Sequence, residues 1–323
     1  ENEGEKTAAY FHGCNRGKKS VTVDFRTEEG IAAVHRLLAD ADVVIENFKV
    51  GGLARFGLDF ASLHARYPRL IYCSITGFGQ TGPYASRAGY DYIVQGMSGL
   101  MSVTGEPTTQ PQKVGVAVTD IYTGIYASTG ILAALHQRDK TGKGQMVDMA
   151  LFDVAVATMA NQAMNFLASG KAPSRMGNAH PNIVPYQVFD CSDGYIIIAS
   201  GNDSQYRKLC AALGQPELGT DPKYATNADR LAHRDEIVGK IMALTVGWTK
   251  ADLLAACERE GIPAGPINDV GEAFADPQIV ARGLRVDLKG IPSVRTPIVF
   301  SDAELALDRP SPRLGQDQEI IEG

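Results

Sequence analysis

The sequence runs to 323 residues, 44% of them hydrophobic and 21% charged, with a formal net charge of −6. That composition supplies one large or two modest cores without staples or structural metal. Its Lys and Arg are scattered, with no basic stripe of the kind a phosphate polymer needs, which argues against nucleic acid as a partner.

The five cysteines, Cys14, Cys73, Cys191, Cys210 and Cys257, are an odd number with no C-x-x-C pair. They read as buried thiols in a reducing compartment. No apolar run reaches about 18 residues, and Glu1 to Lys6 is acidic and polar, unlike a secretion signal. The expectation is a cytoplasmic protein with no membrane partner.

In chain order, the pattern predicts a strand over Ser20 to Asp24, a helix over Thr27 to Ala39, a strand over Val43 to Ile45, a helix over Phe60 to Arg66 and a strand over Leu70 to Ile75. This alternation argues for βαβ units and a parallel sheet. Val114 to Val118 is an apolar run that reads as a strand, and Ile121, Ile125, Ile131, Leu132 and Leu135 then recur at helical spacing. Asp120 is thereby expected where a strand ends and a helix begins. Leu151 to Ala168 reads as one central packing helix, apolar on most faces and stopped by Gly170 and the Pro173 region.

Composition turns to Gly, Asn, His and Pro over Gly177 to Pro185, which predicts a loop joining two bodies. Beyond it lie strands near Tyr186 to Phe189 and Tyr195 to Ala199, helices over Ser204 to Leu213, Arg234 to Leu244 and Lys250 to Glu260, and a turn over Gly261 to Pro266. Thr296 to Phe300 and Arg309 to Leu314 read as extended. The expected organisation is a Rossmann-like α/β large domain with a parallel sheet over residues 1–185, a smaller α+β domain over 186–294, and a return to the first domain by 295–323.

Asp120 suits two roles. An aspartate at a helix start accepts backbone N–H bonds and contributes about 1 kcal/mol as a cap. A carboxylate at the carboxyl end of a parallel strand also lies where open α/β sheets place ligands. Asp91 follows a glycine-rich loop from Gly77 to Pro83 and is either a solvated cap or a group that positions substrate or moves protons. The loop from Glu46 through Asn47, Phe48 and Lys49 to Gly52 brings backbone N–H groups, a ring and a cation together, which suits a nucleotide-like ligand, though such glycines also serve simple turns. His180 sits among small polar residues as either an idle or a functional loop histidine.

There is no G-x-G-x-x-G after a strand, no G-x-x-x-x-G-K-[ST], no G-x-S-x-G and no H-E-x-x-H. Nicotinamide, ATP, serine-hydrolase and zinc-protease chemistry lose their usual sequence support, and no metal site is expected.

Five segments, taken in order, resemble the family III CoA-transferases, a group that includes formyl-CoA, carnitine and dicarboxylate CoA-transferases and the related α-methylacyl-CoA racemases. They are NRGKKSVTVDFRTEEG (15–30), ADVVIENFKVGGLARFGLDF (41–60), RLIYCSITGFGQTGPYASRAGYDYIVQGMSGLMSVTG (69–105), VGVAVTDIYTGIYASTGILAAL (114–135) and TGKGQMVDMALFD (141–153). The resemblance runs nearly the whole length.

It implies that Asp120 is the covalent nucleophile and that Asp91 lies near the acyl group. It also implies that Val23, Asp24, Phe25 and Arg26 lie along the CoA nucleotide, while Asn47, Phe48, Lys49 and Arg55 hold the adenine and phosphate region, with Tyr90 beside the site. Racemases of the group carry a histidine at the Tyr90 position, so Tyr90 favours transfer. The segment GNAHPNIVPYQVF, with Asn178 and His180, is similar to dicarboxylate transferases and implies a substrate loop for a dicarboxylic acceptor. Family members open with a strand and helix carrying a glutamine and a basic CoA contact, and residue 1 here matches a position beyond them, so a truncated chain or contacts from elsewhere are expected.

The implied reaction moves CoA from an acyl-CoA, with succinyl-CoA a candidate donor, to a carboxylic acid through an aspartyl anhydride and an aspartyl-CoA thioester. Coenzyme A enters as substrate, with no tightly bound cofactor. The site needs cover from water, for which the glycines of 77–82 and the 177–185 loop are candidates. The resemblance also implies an interlocked homodimer. A racemase-like isomerase and an inactive CoA-binding protein are the competing readings.

Overall fold

The computed structural model describes residues 7–322. The opening residues Glu1 to Lys6, considered above for a secretion signal, lie outside the described residues. The chain forms two compact units. One comprises the residues through Ser98, Gly115–Ala163 and the chain from Val270 onward, and the other comprises Gly99–Val114 and Met164–Asp269.

The first unit is built on a parallel sheet of β1 (Val43–Glu46), β2 (Ile71–Thr76) and β3 (Met146–Ala150), in the order β1-β2-β3. β2 lies in the middle with Val43 opposite Ile71 and Cys73 opposite Val147. Its residues Ile71, Tyr72, Cys73 and Ser74 are all buried, as a strand covered on both faces must be. The helix Glu28–Ala39 starts at Thr27, whose hydroxyl accepts the Gly30 N–H, with Glu28 and Glu29 in the positive first turn. Gly30 is required there, because a Cβ would lie 2.0 Å from the Asp24 carbonyl oxygen. Leu38, Leu53, Leu58, Leu63, Leu70 and Tyr72 form the core beneath these elements.

Several elements depart from the sequence pattern. Ser20 to Asp24 is extended but forms no strand, because the C-terminal segment satisfies its backbone instead. Asp317 Oδ2 accepts the Ser20 N–H at 2.8 Å, Gln318 Oε1 accepts the Thr22 N–H at 2.8 Å, and Gln318 Nε2 donates to Thr22 O. Val114 to Val118 likewise forms no strand. The helix Val118–Thr141 begins inside this run, where Asp91 accepts the Thr119 N–H, so the residues that would complete a strand are drawn into the first helical turn.

The single helix expected over Leu151 to Ala168 is two, Leu151–Ala157 and Ala160–Ser169, with Ala160 at φ 46° between them. Leu151, Val154 and Ala155 are buried, but Met164, Phe166 and Leu167 are exposed, so only the first half packs centrally.

The second unit carries an antiparallel sheet, β4 (Tyr186–Cys191), β5 (Gly194–Ala199) and β6 (Ala264–Pro266). β6 was expected as part of a turn, but Ile197 pairs with Gly265. The helices Asp203–Ala212, Arg234–Thr245 and Lys250–Glu260 cover it, and Phe189, Ile196, Ile198, Tyr206, Leu209, Ile237, Ile241 and Leu253 are fully buried between them. A hairpin of β7 (Arg285–Leu288) and β8 (Ile291–Val294) belongs to the first unit. No helix among the described residues is long and apolar enough to cross a membrane.

Candidate active site

Two carboxylates meet at the start of the Val118–Thr141 helix. Asp120 is the third residue of that helix, inside its first turn and not between strand and helix; Ala117 occupies the cap position and has no side chain to bond with. Asp91 is the first residue of the helix Asp91–Met97, which follows β2 through the loop 77–90.

The loop closes on itself. A Cβ on Gly77 would lie 2.6 Å from the Gly89 Cα, so both positions must be glycine for the ends to touch. Its interior is filled by its own side chains, with the Phe78 and Tyr84 rings 5.5 Å apart and the Arg87 guanidinium 4.5 Å from the Tyr84 ring. Gly79 N–H donates to Thr76 Oγ1, Gln80 N–H to Asp148 Oδ2 and Gln80 Nε2 to Ser74 Oγ. This is a packed Ω-type loop that delivers Asp91 to a fixed place.

Asp91 is saturated with donors. Its Oδ1 accepts the Thr119 N–H at 2.8 Å and the Thr119 hydroxyl at 2.5 Å, and its Oδ2 accepts the Gln95 amide at 2.7 Å. Burial alone would raise its pKa, but the Thr119 hydroxyl, the Gln95 amide and the backbone N–H groups of Thr119 and Asp120 outweigh that, and the carboxyl lies below its ordinary value. Asp120 moves the other way. Partial desolvation and then the Asp91 charge raise it, despite its place at a positive helix end.

Tyr10, on the helix Ala9–Asn15, belongs to the same neighbourhood. Its hydroxyl is raised by Cys14, burial and the charge of Asp120, in that order. Tyr90 stands at the cap position of the Asp91–Met97 helix with its ring 70% exposed. Asp120 is exposed in the single chain.

The other expected binding residues cluster in the first unit. Phe25 lies 6.2 Å from Phe48 and 5.7 Å from Phe56, ring to ring, and the Arg55 guanidinium sits 4.5 Å from the Phe56 ring. Phe25, Arg26, Arg55 and Phe56 line an open cavity of about 1100 Å3. Val23, half-buried, and Asp24 lead into it, and Asp24 grips the Arg26 guanidinium at 2.7 Å, which holds its own carboxyl at about 2. Asn47 Nδ2 donates to Ile75 O, Phe48 N–H donates to Glu46 Oε2, and Lys49 borders a smaller cavity of about 340 Å3.

Asn178 and His180 belong to the second unit. Asn178 is exposed in a turn. His180 is engaged in holding its loop: the ring lies 5.0 Å from Tyr186, its Nδ1 accepts the Asn182 N–H, and burial and Arg234 lower its pKa.

Thr119, Gln95, Tyr10 and Phe56 were not singled out by sequence. Gln95 carries a usable signal, since it is four residues after Asp91 on one helix, where Gln and Asp side chains meet. Thr119 is a hydroxyl directly before the candidate nucleophile. Tyr10 is remote in sequence and carries no such signal.

Residues 1–318 match the family described as CoA-transferase family III. The chain is 58% identical over 322 residues to the succinate–glutarate CoA-transferase of Agrobacterium fabrum, covering 98% of this chain and 80% of that protein. It is 40% identical over 320 residues to the human succinyl-CoA:glutarate CoA-transferase, covering 96% and 72%. The crystal structure of a CAIB/BAIF family protein from Brucella suis superposes with a TM-score of 0.88 at 59% identity, covering 99% of this chain and 85% of that one. With a near full-length match and a shared fold, the chain belongs to CoA-transferase family III and is a CoA-transferase.

Proposed function

We propose that this enzyme moves CoA from succinyl-CoA to a dicarboxylic acid of about the size of glutarate, with Asp120 as the nucleophile. The observation that carries the reading is an exposed Asp120 carboxylate beside a second carboxylate, Asp91, that already takes the helix-end N–H groups. The names of the relatives supply the substrate class.

An Asp120 oxygen attacks the thioester carbonyl and expels CoA thiolate, which leaves a mixed anhydride. The thiolate attacks the Asp120 carbonyl carbon, releases succinate and forms an aspartyl-CoA thioester. The acceptor carboxylate attacks the same carbon and releases the thiolate again, which then takes the acceptor acyl group and restores Asp120. The acyl group stays activated throughout without ATP.

Val23, Asp24, Phe25, Arg26, Asn47, Phe48, Lys49 and Arg55 are assigned to the nucleotide end of CoA. A guanidinium pairs with phosphate in a fork and a ring packs on adenine. CoA esters pass through as substrates, with no resident cofactor. Asn178 and His180 are assigned to the loop that meets the acceptor. Cys73, Cys210 and Cys257 are buried and Cys191 is half-buried, as thiols of a protein in a reducing cytoplasm are expected to be, whereas Cys14 is exposed, against the sequence expectation of a buried thiol.

The enzyme is assigned as a homodimer. Ile121, Tyr122, Ile125, Tyr126 and Leu132 on the Val118–Thr141 helix, with Tyr90 and Tyr92 beside Asp91, are exposed large apolar or aromatic side chains. A second copy over this face would bury them and exclude water from the anhydride.

Mass spectrometry of the enzyme mixed with succinyl-CoA tests the reading. An adduct on the Asp120 peptide that disappears in Asp120→Asn, together with CoA transfer to glutarate, supports it. Absence of any adduct and any transfer would leave only CoA binding. Exchange of an α-proton from a 2-methylacyl-CoA in deuterated water would instead point to racemisation.

A further inference from the structure

A 24-residue helix leaves its first N–H groups without partners and carries a partial positive charge at that end. An acidic side chain at the third helical position can reach back to the N–H groups at that end, as in a capping box, and that bond would stabilise its charge and lower its basicity. For a carboxylate that must attack a thioester, capping its own helix is the wrong occupation.

In this chain another carboxylate does that work. Asp91, from a different helix, takes the Thr119 N–H at 2.8 Å, with the Asp120 N–H adding to the stabilisation of its charge, and among the described residues no hydrogen bond reaches the Asp120 carboxylate. Two buried polar side chains hold Asp91 in this post: Thr119 is 1% exposed and Gln95 is not exposed at all, and both bond to it. Buried polar groups are costly unless bonded, and both of these spend a bond on the same carboxylate.

We infer that Thr119 and Gln95 are positioning residues for the transfer reaction: they fix Asp91 as an ionised cap on the helix that carries Asp120, and so keep the Asp120 carboxylate unbonded and reactive. This rests on Asp120 being the nucleophile. The fixed charge of Asp91 also opposes ionisation of Asp120, which makes the ionised form a stronger nucleophile at neutral pH.

Among the described residues, the ionisable groups that act on or feel Asp120 are Asp91 on the Asp91–Met97 helix and Tyr10 on the Ala9–Asn15 helix, where Cys14 in turn acts on Tyr10. On the other elements packed against the Val118–Thr141 helix, Asp148 of β3 accepts the Gln80 N–H, and Asp153 lies in the first turn of the Leu151–Ala157 helix.

The test is the rate of single-turnover acylation of Asp120 by succinyl-CoA as a function of pH, in full-length wild-type enzyme and in Thr119→Val, Thr119→Ser and Gln95→Leu. The titration of the Asp120 carboxyl is followed in parallel by 13C NMR. Titration of the substrate is common to all and cancels in the comparison.

Thr119→Val and Gln95→Leu are expected to release Asp91, let the helix-end N–H groups turn to Asp120, and shift its titration to lower pH by roughly half to one unit. The plateau rate is expected to fall about threefold to tenfold. Thr119→Ser, which keeps the hydroxyl, is expected to titrate as wild type.

A uniform rate loss at every pH with an unmoved Asp120 titration, or a Thr119→Ser variant as impaired as Thr119→Val, overturns the inference. Should Thr119→Val not fold, Gln95→Leu and Thr119→Ser still decide it. Failure of the parent reading looks different: wild-type enzyme then forms no adduct on the Asp120 peptide.

Discussion

Gly77 and Gly89 approach so closely that a side chain on either would collide with the other's backbone, at 2.6 Å from Cβ to Cα. Twelve residues apart in sequence, they pinch the loop after β2 shut and set where Asp91 begins its helix. The glycines of 77–82, considered from sequence as a cover over the site, belong to this packed loop.

Gly89→Ala is expected to destabilise the protein by about 1–3 kcal/mol, since a Cβ there cannot be placed without moving backbone. The transfer rate is expected to fall further than the loss of folded protein explains, because Asp91 shifts with residue 89. Thermal unfolding and single-turnover acylation, measured on the same preparation, separate the two effects.

Asp120→Asn is expected to abolish transfer and to stabilise the fold at neutral pH. The Asp120 carboxyl is raised in the folded chain by desolvation and then by Asp91. Its contribution to stability is therefore fully present below the unfolded pKa and is lost as pH rises through the raised value, so at pH 7 the charged side chain is a cost. Partial exposure keeps that cost small, with a gain in Tm on the order of 1–3 °C at pH 7 that vanishes below about pH 4. Unfolding scans of both proteins from pH 3.5 to 8 check the sign.

Arg55→Ala is expected to raise KM for succinyl-CoA about tenfold while kcat stays within about twofold. The guanidinium lies over the Phe56 ring at the edge of the larger cavity, distant in role from the carboxylate pair. Steady-state kinetics with varied succinyl-CoA at saturating glutarate separates the parameters. A fall in kcat with unchanged KM would remove Arg55 from the nucleotide site.

Replacing Ile125 and Leu132 together by Arg is expected to yield monomer, because both side chains point away from their own core, at 55% and 67% exposure. Sedimentation velocity of wild type and variant reads the change. Wild type that sediments as a monomer at all concentrations would remove the homodimer assignment.

The βαβ alternation was legible because local patterns make it so. Thr27 followed by Glu28 and Glu29 announces the helix Glu28–Ala39, and the continuous apolar run Ile71 to Cys73 announces a strand covered on both faces. Periodicity cannot say whether an apolar run finds a sheet partner. Val114 to Val118 looks like β2 in composition, but its last residue opens the helix that Asp91 caps through the Thr119 N–H. Ser20 to Asp24 is bonded by side chains almost 300 residues away, a pairing that no local window contains.

The sequence by itself determined the family and marked Asp120, Asp91 and the Phe25, Phe48 and Arg55 neighbourhood, because motif order and residue chemistry survive without coordinates. Only the tertiary structure decided which carboxylate caps the helix and which stays free. That choice depends on where Thr119, Gln95 and the pinched glycine loop place a few N–H and O–H groups, to within a few tenths of an ångström. Hydrogen-bond strength falls off steeply over such distances, so two aspartates of the same chemistry acquire opposite electrostatic fates.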